Sequence, residues 1–249
     1  MIARTANPAL NKNTFSQVRG FSLKDNLMTL QGTVNKTGIL LFLALLSAMW
    51  VWRQFFIYEA PQISLYIMGG AIGGFIAAMV AIFKPTTAPI VAPIYALLEG
   101  LFLGGISSFM EARFPGIVLQ AVGLTFGTLF ALLFAYKSGL IRATENFKLG
   151  VTAATGGIFL MYMMSFILGF FGMSVPFLHG NGIIGIGVSG FIVVIAALNL
   201  VLDFDFIEHG VEQGAPKFME WRAALGLMIT LVWLYIEILH LLSKLRSRE

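Results

Sequence analysis

Seven times along this chain a run of about twenty mostly apolar residues appears, closed off by charges, prolines or polar loops. A helix needs about 20 such residues to cross the hydrocarbon core of a bilayer. In lipid every backbone polar group must find its partner internally, so only helices and closed barrels span. The runs are Thr37–Ile57, Ile63–Phe83, Pro89–Phe109, Ile117–Tyr136, Leu149–Phe171, Ile183–Leu202 and Trp221–Leu242. None alternates with period two, which excludes the barrel. The expected fold is all-α: a polytopic membrane protein built as a bundle of seven transmembrane helices. Glu59-Ala60-Pro61, Lys84-Pro85 and Arg113-Phe114-Pro115 mark the first three breaks.

The charge content supports the same class. Only 11% of residues are charged and 58% are hydrophobic, whereas a soluble domain carries about 25% charged residues. The net charge of +4 is too small to suggest nucleic acid; the lipid bilayer is the expected partner. Cysteine is absent, so nothing rests on a disulfide or a thiolate. Histidines stand only at 179, 209 and 240, too scattered for a metal site. No cofactor is expected.

Residues 1–36 are polar and hold Arg4, Lys12, Arg19, Lys24 and Lys36, without the apolar core and small-residue cleavage site of a signal peptide. They are expected to form a cytoplasmic tail, with residues 37–249 as the membrane domain. With the N-terminus inside, Lys84, Lys137, Arg142, Lys148, Lys217 and Arg222 join the tail on the inner face, and only Arg53 and Arg113 fall in outer loops. Seven full spans leave Lys244, Arg246 and Arg248 outside, against that rule.

Two carboxylates lie inside spans: Glu99 in "PIYALLEGLFLGG" and Glu237 in "LYIEILHLL". A charge at the bilayer centre costs at least about 2.5–3.5 kcal/mol, so such groups face the bundle interior or water and often mark ion or proton paths. They also serve as hydrogen-bonding glue between helices. Glu237 and His240 are three apart, share a helix face and are able to satisfy each other. Both readings stay open for Glu237 and for Glu99.

A second acidic cluster, "NLVLDFDFIEHGVEQGAPKFMEW", holds Asp203, Asp205, Glu208, Glu212 and Glu220. Asp203 follows directly on membrane-embedded sequence and is partly desolvated. If helix continues past it, Glu208 and Glu212 share a face with Asp205 a turn before, and helix ends near Gly214-Ala215-Pro216. A calcium loop fails here: its glycine position is Glu208 and its closing glutamate position is Gly214. Gly187-Val188-Ser189-Gly190 has the form of an intramembrane serine protease motif, with His240 as the nearest base by depth, but four residues in a glycine-rich chain read as helix packing. Gly69-Gly70, Gly73-Gly74, Gly100, Gly104, Gly182, Gly185, Gly187 and Gly190 likewise suit close helix approach. No enzymatic activity is expected.

The order of these features resembles the Bax inhibitor-1/YccA-like family. "LVLDFDFIE" at the end of the sixth run and "LYIEILHLLSKL" in the last carry the resemblance, which covers roughly residues 35–245. It implies a seventh helix central among the other six, and a pH-sensitive calcium leak channel. It also implies a pair of acids that share a proton and latch the pore, here Asp203 on the sixth helix and Glu237 on the seventh. Asp205 is the alternative to Asp203. Lys84 stands where the family has a basic residue that pairs with the sensor. Glu99, His240 and Glu208 complete the accessory set. Calcium is the implied permeant ion, held transiently at Asp203 and Glu237. Such relatives also imply a second role: a non-conducting modulator bound to a membrane protease or another membrane protein partner. The location implied is a bacterial cytoplasmic membrane. Glutamate replaces the family's aspartate at 237, and the acids differ in depth unless the sixth helix extends inward or the seventh begins earlier.

Overall fold

The computed structural model describes residues 27–58, 62–173, 180 and 182–248, and is all-α among them. Seven long helices follow in order: α1 Leu30–Phe56, α2 Ile63–Phe83, α3 Ala88–Arg113, α4 Ile117–Lys137, α5 Glu145–Phe170, α6 Ile183–Glu212 and α7 Met219–Arg246. Each is long and apolar enough to cross a membrane. Their outer faces confirm what they are made for: Leu119, Phe134 and Phe83 are 79%, 71% and 82% exposed. Only lipid tolerates that much uncovered apolar surface. The chain is a multi-pass membrane protein. The break expected at Glu59-Ala60-Pro61 and His179 lie outside the described residues.

Helix ends depart from the apolar runs in a consistent way. α1 begins at Leu30, inside the polar segment before the first run, because Thr29 caps it: its hydroxyl accepts from Gly32 N–H. α5 begins at Glu145 behind the Thr144 cap. α6 continues through Asp203, Asp205 and Glu208 to Glu212. It closes where the sequence expects it to, at Gly214, whose φ of 64° is left-handed and favours glycine. Hydropathy reports where lipid ends; capping reports where helix ends.

The helices form two compact units. Residues 27–115 with 205–229 make one, so α1–α3 are joined by the end of α6 and the start of α7. Residues 116–204 with 230–249 make the other, from α4, α5 and the remainder of α6 and α7. α7 is the most buried helix: 67% of its apolar window is covered, against at most 44% in any other.

In the first unit α3 lies against α1 and α2 at bare backbone. A Cβ on Gly104 would stand 2.7 Å from the Ala48 carbonyl oxygen, and one on Gly70 would stand 2.6 Å from that of Leu98. Gly100 faces Ala44 in the same way. These glycines let helices touch where no hydrophobic effect drives them together. Gly69, Gly182, Gly187 and Gly190 have open space beside them, so the packing role expected there is not what they do.

Candidate functional site

Within the second unit two acids are buried on facing helices. Glu237 on α7 is 4% exposed and Asp203 on α6 is fully buried. Glu237 Oε1 accepts two hydrogen bonds, from the Tyr162 hydroxyl on α5 at 2.8 Å and from Trp233 Nε1 at 3.0 Å. Trp233 lies one turn before Glu237 on the same helix, which aims its indole N–H at the carboxyl. Glu237 is therefore held by aromatic donors rather than by His240. The His240 side chain is exposed, and its carbonyl accepts from Ser243 Oγ at 2.8 Å.

Two turns beyond Glu237, Lys244 is turned inward. Its Nζ donates to Ser189 Oγ at 2.8 Å and to the Gly185 carbonyl at 3.3 Å, both on α6. Ser189, singled out as part of Gly187-Val188-Ser189-Gly190, is thus a buried partner of a lysine and not of His240. The contact also sets the register of the antiparallel α6 and α7. Carried along both helices one residue at a time, it brings Glu237 level with Ala196 and Asp203 level with Thr230. The two acids then stand seven residues apart along the axis, about 10 Å at 1.5 Å per residue.

Other polar groups occupy the intervening levels. Asn199 Nδ2, one turn before Asp203, donates to Thr155 Oγ1 on α5 and to the Ile195 carbonyl, both at 2.8 Å. Along α5, Ile158 stands between Thr155 and Tyr162; along α6, Ile195 and Ile192 stand between Asn199 and Ser189. These three isoleucines form a buried apolar cluster, with Tyr162 and Trp233 packed against it. The row through α5, α6 and α7 thus reads Asp203, Asn199 with Thr155, Glu237 with its aromatic donors beside the isoleucines, and Ser189 with Lys244.

The first unit holds the other candidates. Asp205 is buried, and His209 Nδ1 lies 2.8 Å from its carbonyl oxygen and 3.5 Å from Oδ2. Glu208 and Glu212 are exposed, as expected of an acidic face at a spacing of four. Lys84 is exposed at the end of α2. The basic side chain that does serve that end is Arg222, 1% exposed, whose guanidinium donates to the Ala81 carbonyl at 2.7 Å and the Ile82 carbonyl at 3.1 Å. These are orphan acceptors of a helix terminus, and a buried cation there is doubly favoured.

Glu220, the last member of the acidic cluster, is fully buried. Its Oε1 accepts from the Thr29 N–H and hydroxyl, each at 2.9 Å, and Oε2 pairs with Lys36. A Cβ on Gly32 would collide with this carboxylate, so the glycine is what admits it. Glu220 thereby places a negative charge at the N-terminal end of α1 while standing in the first turn of α7. Glu99 on α3 is 8% exposed, accepts a hydrogen bond from Tyr95 and lies against α2 at Gly74.

The sequence reading missed Tyr162, Trp233, Arg222 and the inward turn of Lys244. One signal was available: each membrane carboxylate follows an aromatic donor by four residues, Tyr95 before Glu99 and Trp233 before Glu237. Among the described residues no cluster of three or more acidic or histidine side chains is arranged to hold a metal ion. A family model described as Bax inhibitor 1 like matches residues 7–247, reaching well into the N-terminal segment. No curated protein and no solved structure matches the chain.

Proposed function

The chain belongs to the Bax inhibitor 1 like family, and from that premise we propose that it is a pH-sensitive cation leak channel, with calcium as the permeant ion. Asp203 and Glu237 are its gate. The membrane is a bacterial cytoplasmic membrane, with the N-terminus inside. The observation that carries this reading is the row of buried polar groups in the second unit, with Glu237 held beside the isoleucine cluster and Asp203 buried further along α6. Hydrophobic constrictions gate pores by excluding water, and rings of carboxylates select cations.

Physically, neither acid ionises cheaply where water is excluded. Protonated, Glu237 keeps its aromatic partners and the isoleucines stay closed. Ionised, both acids draw water and a hard cation, whose preferred ligands are oxygens. The register suggests two stations on one path about 10 Å apart, so the shared proton of the family's paired acids becomes two linked titrations here. The closed and open arrangements are the two states that pH biases.

A second reading has its own support. Two hydrogen bonds converge on Glu237, as glue between α5 and α7 would require. On this reading the protein passes no ion and modulates a membrane protease or other complex. Reconstitution decides between them. Purified protein in dye-loaded liposomes, assayed for calcium entry from about pH 5 to 8, is expected to conduct above protein-free liposomes with a clear pH dependence. No entry from folded protein would sink the channel and favour the modulator.

A further inference from the structure

The first unit contains a buried carboxyl that the gate does not use. Glu99 sits mid-helix on α3, 8% exposed, with Tyr95, 5% exposed, donating to it from one turn earlier. Its Oε2 is only 2.9 Å from where a Cβ on Gly74 of α2 would stand. The carboxyl therefore occupies a notch that the missing side chain opens against the α2 backbone. One turn away the same two helices meet at Gly70, with Leu98 O and Phe102 N in contact distance of its absent Cβ. The acid is thus set into the α2–α3 crossing, one turn from the backbone contact at Gly70.

Little else there is able to hold a charge. Between Ile63 and Phe83, α2 carries no charged residue, and Tyr66 is its only titratable group. α1 offers Ser47, whose hydroxyl donates to the Leu97 carbonyl at 2.7 Å; its own charges, Lys36 and Arg53, stand toward the two ends of the helix. On α3 itself Glu111 and Arg113 are three turns or more away, and Arg222 is engaged at the far end of α2. A carboxylate there would face Tyr95 and otherwise apolar groups and backbone, which stabilise the acid far better than its anion.

We propose that Glu99, Tyr95 and the Gly74 notch form a proton-binding site in the first unit, separate from the Asp203 and Glu237 gate. With the proton bound, the acid fills the notch and seals α2 to α3. When the O–H bond breaks and the proton passes to water, the anion is expelled from the notch toward hydration, and the crossing loosens. The inference does not rest on conduction.

The test is infrared difference spectroscopy on the full chain in lipid, following the carbonyl stretch of protonated carboxylic acid from about pH 5 to 9. Wild type is compared with Glu99→Gln, each also in a Glu237→Gln background. The expected result is a pH-dependent component lost in Glu99→Gln and retained in Glu237→Gln. A lost component that does not vary with pH would overturn the proposal, leaving Glu99 as fixed glue. Loss of no component would overturn it as well. If Glu99→Gln does not fold, Gly74→Ala carries the test. Its Cβ crowds the carboxyl and is expected to move the midpoint by about one pH unit, tenfold in proton affinity; an unmoved midpoint would refute the notch.

Discussion

If the protein conducts as proposed, removing the Tyr162 hydroxyl should make it leakier. That hydroxyl donates to Glu237 Oε1 at 2.8 Å, and Trp233 donates to the same oxygen at 3.0 Å. Tyr162→Phe keeps the ring that packs on the isoleucine cluster and deletes one donor. A hydrogen bond of this kind contributes about 0.5–1.5 kcal/mol net. Because Trp233 remains on the same oxygen, the carboxyl is not stripped, and the cost stays within that range. If the bond exists only when the gate is closed, its loss raises the open population by about 2- to 12-fold, taking each 1.4 kcal/mol as a factor of ten. Initial calcium entry into liposomes at fixed pH reads this directly, with a thermal melt as control for folding. A variant that melts lower yet conducts no faster than wild type at any pH would refute the reasoning, because Tyr162 would then be glue unconnected to the gate.

Other outcomes follow from the packing. Gly104→Ala puts a methyl 2.7 Å from the Ala48 carbonyl, where ordinary contact needs about 3.5 Å, so α1 and α3 must part by nearly an ångström; a loss of about 1–3 kcal/mol in denaturant unfolding is expected, while Gly187→Ala, with open space beside it, should cost nothing. Glu220→Gln removes the charge that Lys36 pairs with and should lower stability by about 1.5–3 kcal/mol, with protease sensitivity appearing first at the start of α1. A double-mutant cycle of Ser189→Ala with Lys244→Met should return a coupling of about 0.6 kcal/mol and no more than about 1.7; zero coupling would deny the contact that sets the α6–α7 register.

Much of this architecture was legible because the bilayer is a demanding solvent. Seven apolar runs became seven helices, and α2 matched its run from Ile63 to Phe83. The polar extensions were harder to see. Thr29 starts α1 ahead of its apolar run, and α6 carries ten residues past Leu202, because helix continues wherever caps and tertiary partners sustain it. Burial of Glu220 escaped because its partners, Thr29 and Lys36, lie 191 and 184 residues away in sequence. Glu99 and Glu237 stood out by their cost in lipid, whereas their donors did not, since a tyrosine or tryptophan in a span looks like any other apolar ring. Lys244 stands beyond the last apolar run; its inward turn depends on the Gly185–Ser189 surface of α6, which no local pattern announces.

The central claim is that Asp203 and Glu237 set the pH response. The measurement that bears on it most directly is the pH profile of calcium entry for wild type, Asp203→Asn, Glu237→Gln and the double variant, in matched liposomes. Each single variant is expected to shift the profile, and the double variant to flatten it while calcium still enters. Profiles that coincide with wild type in both single variants, from protein shown to be folded, would contradict the account and move the pH sensor elsewhere in the chain.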